Sequence, residues 1–257
     1  MNFEDYYRIG EDYYDNGEYQ KALNHFKKCV SIDNYYNNLN YIGLCYFHLK
    51  KYEISAKIFK EILEDCPQSS DAMINLGRVY LYKRLLPEAV EMFNEAISVD
   101  QLDEDAYFYL GVCSEKIENY EESIKFYKKS LTINVEQSET HLNLGICYHK
   151  SGAYSEALKE LDLAYKYDNK CLLARSSKGS VYIDMKDYTN AKKELLLIAK
   201  IKPDYVDNII DLAYCYYKLK DYSNAEKCLK KALCIDPQDG YIKKMLKKIE
   251  AKAYTKD

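Results

Sequence analysis

The sequence predicts an all-α fold, a solenoid of seven antiparallel helix-turn-helix repeats followed by a C-terminal capping helix. Three observations predict it. Gly43, Gly77, Gly111, Gly145 and Gly179 each stand 34 residues apart, and Gly10 lies 33 residues before Gly43. Other residue types recur in the same phase. Each period also holds two segments of about 14 residues with apolar positions at helical spacing, split by a short polar break. A period of this size marks stacked helical hairpins, because one hairpin cannot bury its own apolar face and must share a core with its neighbours.

The columns justify each element in turn. Ala213 takes the glycine place in the last repeat, 34 residues after Gly179. Three residues after the glycine place come Tyr13, Tyr46, Tyr80, Ser114, Tyr148, Tyr182 and Tyr216. Nine residues after it come Tyr19, Tyr52, Leu86, Tyr120, Tyr154, Tyr188 and Tyr222. Twelve after it stands a small residue, Ala22, Ser55, Ala89, Ser123, Ala157, Ala191 or Ala225. Sixteen after it stands a large apolar one, Phe26, Phe59, Phe93, Tyr127, Leu161, Leu195 or Leu229. The glycine lets two helices approach, the small residue does so from the other side, and the large residue fills what remains. Breaks between paired helices are expected near residues 17, 50, 84, 118, 152, 186 and 220. Gly17 and Gly152 fall in such breaks, where positive φ is useful, and Pro87 opens a second helix at a first-turn position. Repeats are expected over roughly 3–35, 36–69, 70–103, 104–137, 138–171, 172–205 and 206–239, in a single domain of residues 1–257. Over 240–257 a last amphipathic helix groups Ile242, Met245, Leu246, Ile249 and Ala253 on one face, with Lys243, Lys244, Lys247, Lys248, Lys252 and Lys256 covering the rest. A solubilising cap explains it best, and a basic partner site is the alternative.

These columns resemble the tetratricopeptide repeat, whose pattern is W-x2-L-G-x2-Y…A-x3-F…P. The second repeat follows it through Leu39, Ile42, Gly43, Tyr46, Ser55, Phe59 and Pro67, and the third through Met73, Leu76, Gly77, Tyr80, Ala89 and Phe93. The resemblance runs over about residues 3 to 239. The chain departs from it in having no tryptophan, the first place holding Tyr6, Leu39, Met73, Tyr107, His141, Arg175 and Ile209. The resemblance implies a right-handed superhelical solenoid whose first helices line a concave groove.

Composition narrows the function. Net charge is −4, which argues against a general nucleic-acid or membrane-surface binder. The nine cysteines are spread without C-x-x-C or zinc-ligand spacing and read as reduced, buried small hydrophobes of a cytoplasmic protein. The N-terminus carries no apolar signal region, and no apolar run approaches the ~18 residues of a membrane span.

No catalytic signature is found, so the chain is not expected to be an enzyme. Six glycines belong to the packing column, two to breaks and one precedes the cap, leaving none for a phosphate-cradling loop. His25, His48, His141 and His149 are too scattered for a metal site, and neither metal nor other cofactor is expected.

The family's ligand contacts come from set positions of the first helix, and the resemblance maps them here. They imply an apolar and aromatic floor of Ile74, Phe108, Val112, Leu142, Ile146, Tyr214 and Tyr217 beside an acidic edge of Asp71, Asp105 and Glu139. A contiguous apolar patch marks an interaction site, unless superhelical curvature buries these residues against one another. Repeat six is unusual: Lys178 stands where other repeats have Ile or Leu, between Ser176 and Ser180. Either its methylenes lie along the core with the amine outward, or the three make a polar notch for an anionic group. The chaperone C-terminal carboxylate clamp, which needs lysine and asparagine at two places of one repeat, is not matched. The expected protein is a monomeric interaction scaffold. It holds a peptide or helix with apolar anchors and basic flanks. The alternatives are a peptide-responsive regulatory sensor and a structural subunit whose groove is buried by oligomerisation.

Overall fold

The glycine column fixes how closely paired helices approach. A methyl group on Gly43 would lie 2.7 Å from the Phe59 ring, and one on Gly77 or Gly111 would lie 2.6 Å from Phe93 or Tyr127. Gly10 faces Phe26 in the same way, and Gly145 and Gly179 face Leu161 and Leu195. The small column is fully buried in every repeat, from Ala22 to Ala225. Where it is serine, the hydroxyl finds a backbone acceptor. Ser55 donates to the Gly43 carbonyl at 2.8 Å and Ser123 to that of Gly111 at 2.7 Å, so no buried hydroxyl is left unpaired there.

The structure is a computed structural model, and it describes residues 3–30 and 36–254. The expected boundary between the first two repeats, near residue 35, lies outside the described residues. Among the described residues the regular structure is fifteen α-helices, which form two compact units, Met1–Val135 and Glu136–Asp257. The first unit holds α1 (Phe3–Asp15), α2 (Tyr19–Val30), α3 (Tyr36–His48), α4 (Tyr52–Asp65), α5 (Ser70–Tyr82), α6 (Leu86–Val99), α7 (Glu104–Lys116) and α8 (Tyr120–Ile133). The second holds α9 (Ser138–Lys150), α10 (Tyr154–Tyr167), α11 (Leu172–Asp184), α12 (Tyr188–Ile201), α13 (Val206–Lys218), α14 (Tyr222–Ile235) and α15 (Gly240–Tyr254). Within each unit every helix packs on the next in sequence, so hairpins stack on hairpins.

The breaks are built alike. Gly17 and Gly152 have φ of 75° and 77°, and Lys50, Arg84, Glu118, Lys186 and Lys220 adopt φ between 58° and 63° at the equivalent places. Each is the left-handed residue that ends the first helix of a pair. The next amide then reaches back five residues, from Glu18 to the Tyr13 carbonyl at 2.8 Å, from Leu85 to Tyr80 at 2.9 Å and from Asn119 to Ser114 at 3.0 Å. Lys51, Ala153, Asp187 and Asp221 make the same bond to Tyr46, Tyr148, Tyr182 and Tyr216. The tyrosine column thus supplies the carbonyls that close the helices. Second helices start at once. The side chains of Asn119, Asp187 and Asp221 cap them by accepting from the amides of Glu122, Asn190 and Asn224.

All nine cysteines are free, and Cys45, Cys113, Cys147 and Cys215 share one buried column. Burial pushes the thiols of Cys45, Cys113 and Cys215 up to about 12. Helix α15 closes the second unit. Ile242 and Ile249 are fully buried with Met245 in a cluster that includes Ile209, Leu229 and Ala232.

Candidate functional site

In the first unit the first helices touch directly, α3 on α5 and α5 on α7. That approach buries much of the floor expected there. Ile74 is 5% and Phe108 7% exposed. Ile74 joins the cluster of Met73, Phe93 and Leu110, and the Phe108 ring packs 5.0 Å from Tyr109 and 5.8 Å from Tyr127. Val112, one turn further along α7, remains half-buried.

Asp71 and Asp105 occupy the first turns of α5 and α7 and are exposed. Crowding of the Asp105 carboxyl by its neighbours, with the charges of Glu104 and Asp71, holds its pKa above the usual carboxylate range against the opposing pull of Arg78. Arg78 itself organises a feature that sequence reasoning missed. Its guanidinium lies 5.1 Å from the Phe47 ring centre and 5.5 Å from that of Tyr109. Its Nη1 donates to Asn75 Oδ1 at 2.9 Å, and Asn75 Nδ2 donates to Asn40 Oδ1 at 3.0 Å. This polar chain ties α3, α5 and α7 together. Nearby, the Tyr14 hydroxyl and His48 Nε2 lie 3.1 Å apart, and the His48 ring stacks on Tyr19 at 4.2 Å. Burial, then the charge of Arg78, hold the His48 pKa below its ordinary value. The legible signal was polar Asn40 and Asn75 among apolar floor residues.

In the second unit Leu142 is 7% exposed, Ile146 is half-buried and Glu139 is exposed. His149 Nε2 reaches Asp184 Oδ2 at 2.7 Å, joining α9 to α11. Repeat six resolves into an ionic cluster. Lys178 Nζ lies 2.6 Å from Asp162 Oδ1 and 3.0 Å from Glu194 Oε1. Arg175 Nη1 donates to the other Glu194 oxygen at 2.8 Å, and its guanidinium lies 3.9 Å from the Tyr165 ring centre. Burial opposes the Lys178 charge, but bonds and charge from Asp162 and Glu194 outweigh it and leave the amine raised. Ser180 donates within its own helix, to the Ser176 carbonyl at 3.3 Å. The amine of the expected notch is therefore already held by carboxylates of α10 and α12.

The same geometry accounts for the chain's departures at the tryptophan place. Arg175 meets Glu194, 19 residues on, and His141 Nδ1 meets Glu160 Oε2 at 2.7 Å, again 19 residues on. At that offset Tyr6 packs its ring 5.9 Å from His25, and Met73 and Met92 line one recess. Polar residues in one column are answered by carboxylates in the other.

At the C-terminal end, Tyr214 and Tyr217 of α13 are half-buried and, with α15, wall a cavity of about 410 Å³. Earlier on α13, burial and the charge of Asp207 push the Asp211 carboxyl up to about 6. Asp211 also escaped sequence reasoning, because no motif marks it.

No helix among the described residues is long and apolar enough to cross a membrane. Family models described as tetratricopeptide repeat match residues 3–36, 41–69, 74–139 and 182–249. Solved structures with the same fold include a chain of the Cut9–Hcn1 hetero-tetramer of APC/C. Its TM-score is 0.76 at 16% identity, over 97% of this chain and 49% of that one. PilW, a type IV pilus biogenesis factor, gives 0.73 at 16% identity over 82% of this chain and 98% of that one. YrrB, described as having an unusual peptide-binding site, gives 0.65 at 21% identity over 75% of this chain and 99% of that one. At such identities the likeness is one of fold. The repeat columns, the helix pairing and the four family matches agree: the chain belongs to the tetratricopeptide repeat family.

Proposed function

We propose that the chain is a non-enzymatic scaffold holding a partner segment against its first helices, and that the segment carries apolar anchors flanked by Lys or Arg. The protein-interaction role in general follows from the family. The choice of sign rests on one observation, the carboxylates Asp71 and Asp105 at the first turns of adjacent first helices. The Asp105 carboxyl is held above the usual carboxylate range first by desolvation under its neighbours and then by the charges of Glu104 and Asp71. An arriving ammonium or guanidinium is attracted by these clustered carboxylates and offsets the mutual repulsion of Glu104, Asp105 and Asp71, so a basic flank is favoured and encounter is faster at low salt. Half-buried Val112, and in the second unit Ile146, offer apolar contact beside exposed acids. Ile74, Phe108 and Leu142 are buried and support this surface from beneath. Ser176, Lys178 and Ser180 are assigned to internal structure.

Selection of a random peptide-display library on the purified chain tests the proposal. Enriched sequences should pair large apolar residues with Lys or Arg, and charge reversal at Asp71, Asp105 and Glu139 together should slow their association and flatten its salt dependence. Enrichment of sequences without basic residues, or kinetics unmoved by the triple reversal, would overturn it.

A further inference from the structure

The cavity between α13 and α15 differs in sign from the acidic edge. Its walls are the rings of Tyr214, Tyr217 and Tyr241 and the Met245 side chain, with fully buried Ile249 behind them. At about 410 Å³ it falls within the range of small-ligand sites, roughly 300–1,000 Å³, and is large enough for one bulky apolar side chain. Two further lining residues, Lys244 and Lys248, are exposed. Among the described residues neither ammonium is paired with a carboxylate, and Lys248 lies 5.3 Å from the Tyr217 ring centre. Among the described residues no Asp or Glu lines the cavity. Lys243 and Lys247 add to the charge of the same helix, whose only described acidic residue is Glu250. Asp207 and Asp211 sit earlier on α13 and do not reach the cavity wall.

We propose that this cavity is a second recognition site, for a partner segment that presents one large apolar or aromatic side chain next to Asp or Glu. The inference rests on the scaffold reading only in treating first-helix surfaces as ligand surfaces. Three physical points carry it. A concave, mainly apolar wall rewards burial of a side chain at about 25 cal/mol per Å². Aromatic faces accept another ring in offset or edge-on packing. Unpaired ammoniums at the rim make a negative flank favourable and a positive one unfavourable, so the site selects by sign as well as by shape. A nucleic acid fits less well. Its phosphates would meet the lysines but leave the apolar walls uncovered, and the chain as a whole carries a net charge of −4.

The chain has no tryptophan, so a tryptophan in the ligand is a clean fluorescent probe. The probe is an end-blocked pentapeptide with tryptophan at its centre and two glutamates on each side, titrated with the full chain. Blue-shifted emission on binding is expected, with affinity reduced about tenfold in Lys244→Glu/Lys248→Glu, the effect of two lost favourable charge contacts. Both positions are exposed, and an unchanged helical melting curve confirms that the variant folds. A lysine-flanked version of the peptide should not bind the cavity, and replacing the tryptophan by alanine should abolish binding. Equal binding of the lysine-flanked peptide, or an unaltered affinity in the double variant, would overturn the proposal. So would retention by the alanine peptide, or displacement by a single-stranded oligonucleotide at equal charge, since each marks α15 as a general anion surface. Failure here leaves the response of basic-flanked peptides to Asp71 and Asp105 reversal untouched, so the two readings fall separately.

Discussion

The methyl group that alanine would add at Gly77 lies 2.6 Å from Cε1 of Phe93, across the interface of α5 and α6. A carbon cannot be placed there without moving the ring, and the ring is fully buried. Gly77→Ala should therefore cost roughly 1–3 kcal/mol of overpacking, offset by about 1 kcal/mol of better helix propensity. The repeat that carries Ala213 shows the escape, because its facing residue is Leu229 rather than a ring. Gly77→Ala/Phe93→Leu should thus be more stable than the sum of the two single changes by about 1 kcal/mol or more, as close neighbours couple. Urea unfolding of the four proteins measures this, and strict additivity would refute the packing account.

Gly77 and Phe93 also show why the fold was legible. Their sixteen-residue offset recurs in every repeat, and a contact that must recur leaves columns in a sequence. The breaks were legible in position but not in chemistry. Gly17 and Gly152 announced two of them, whereas Lys50, Arg84, Glu118, Lys186 and Lys220 carry the same left-handed φ with no residue type to mark it. The floor was legible least well. Family positions located Phe108 on α7 but not how closely α5 approaches, and that distance decides whether its ring faces solvent or Tyr127. Arg78 acts through Phe47 and Tyr109 on other helices, and Asp211 through burial that only the packed fold supplies, with Asp207 one turn back as the smaller contribution, so no motif singles them out.

The left-handed breaks make a prediction of their own. A residue with a Cβ in this conformation costs roughly 1–2 kcal/mol relative to the right-handed region. Glu118 and Lys186 are exposed, with φ of 58° and 62°. Glu118→Gly and Lys186→Gly should each stabilise the chain by roughly 0.5–1 kcal/mol. Gly152→Ala should destabilise it by a similar amount, although nothing lies within 4 Å of an added Cβ. Thermal melts check all three, and a destabilising Glu118→Gly would show that the turn residue acts through its side chain.

Thiol chemistry should divide the cysteines by depth. Cys45, Cys113 and Cys215 have pKa values pushed up to about 12 by burial, so almost no thiolate is present at about pH 8. Exposed Cys234 should react first with a disulfide reagent in the native protein. After denaturation under non-reducing conditions all nine should react. A count below nine would reveal a disulfide, and rapid native labelling of Cys113 would mean that α7 opens readily.

In repeat six, Glu194 holds both Arg175 and Lys178, at 2.8 and 3.0 Å. Removing one partner of a half-buried ionic cluster leaves the other charges short of a partner, which costs on the order of 1–3 kcal/mol, less than for a fully buried pair because solvent screens part of it, while replacing a pair by apolar residues is often neutral. Glu194→Met alone should be destabilising by about that much. Arg175→Met/Glu194→Met should recover much of the loss, because Lys178 keeps Asp162 at 2.6 Å and the methionines recreate the Met73 and Met92 arrangement of repeat three. Chemical denaturation of the double-mutant cycle gives the coupling. A double variant no better than Glu194→Met would show that the cluster is not exchangeable with the apolar pairing.

Asp211 gives a pH prediction whose sign is fixed by burial. Its carboxyl is raised to about 6 in the folded chain, first by burial and then by Asp207, whereas in the unfolded chain it titrates near ~3.9. Between those values the folded state holds the proton and the unfolded state has lost it. Stability contributed by this group is therefore complete below about pH 4, falls as pH rises to about 6, and is flat above. An asparagine at this position cannot ionise, so Asp211→Asn should match the parent at about pH 4 and exceed it at about pH 7 by up to about 2 kcal/mol. Urea unfolding at the two pH values reads the difference directly. If a partner supplies a cation to this stretch of α13, its binding should strengthen as pH rises from about 5 to about 7 in the parent and not in Asp211→Asn. An Asp211→Asn variant less stable than the parent near neutral pH would mean that the carboxylate is paired in solution, and the crowded, uncompensated charge argued for α13 would be wrong.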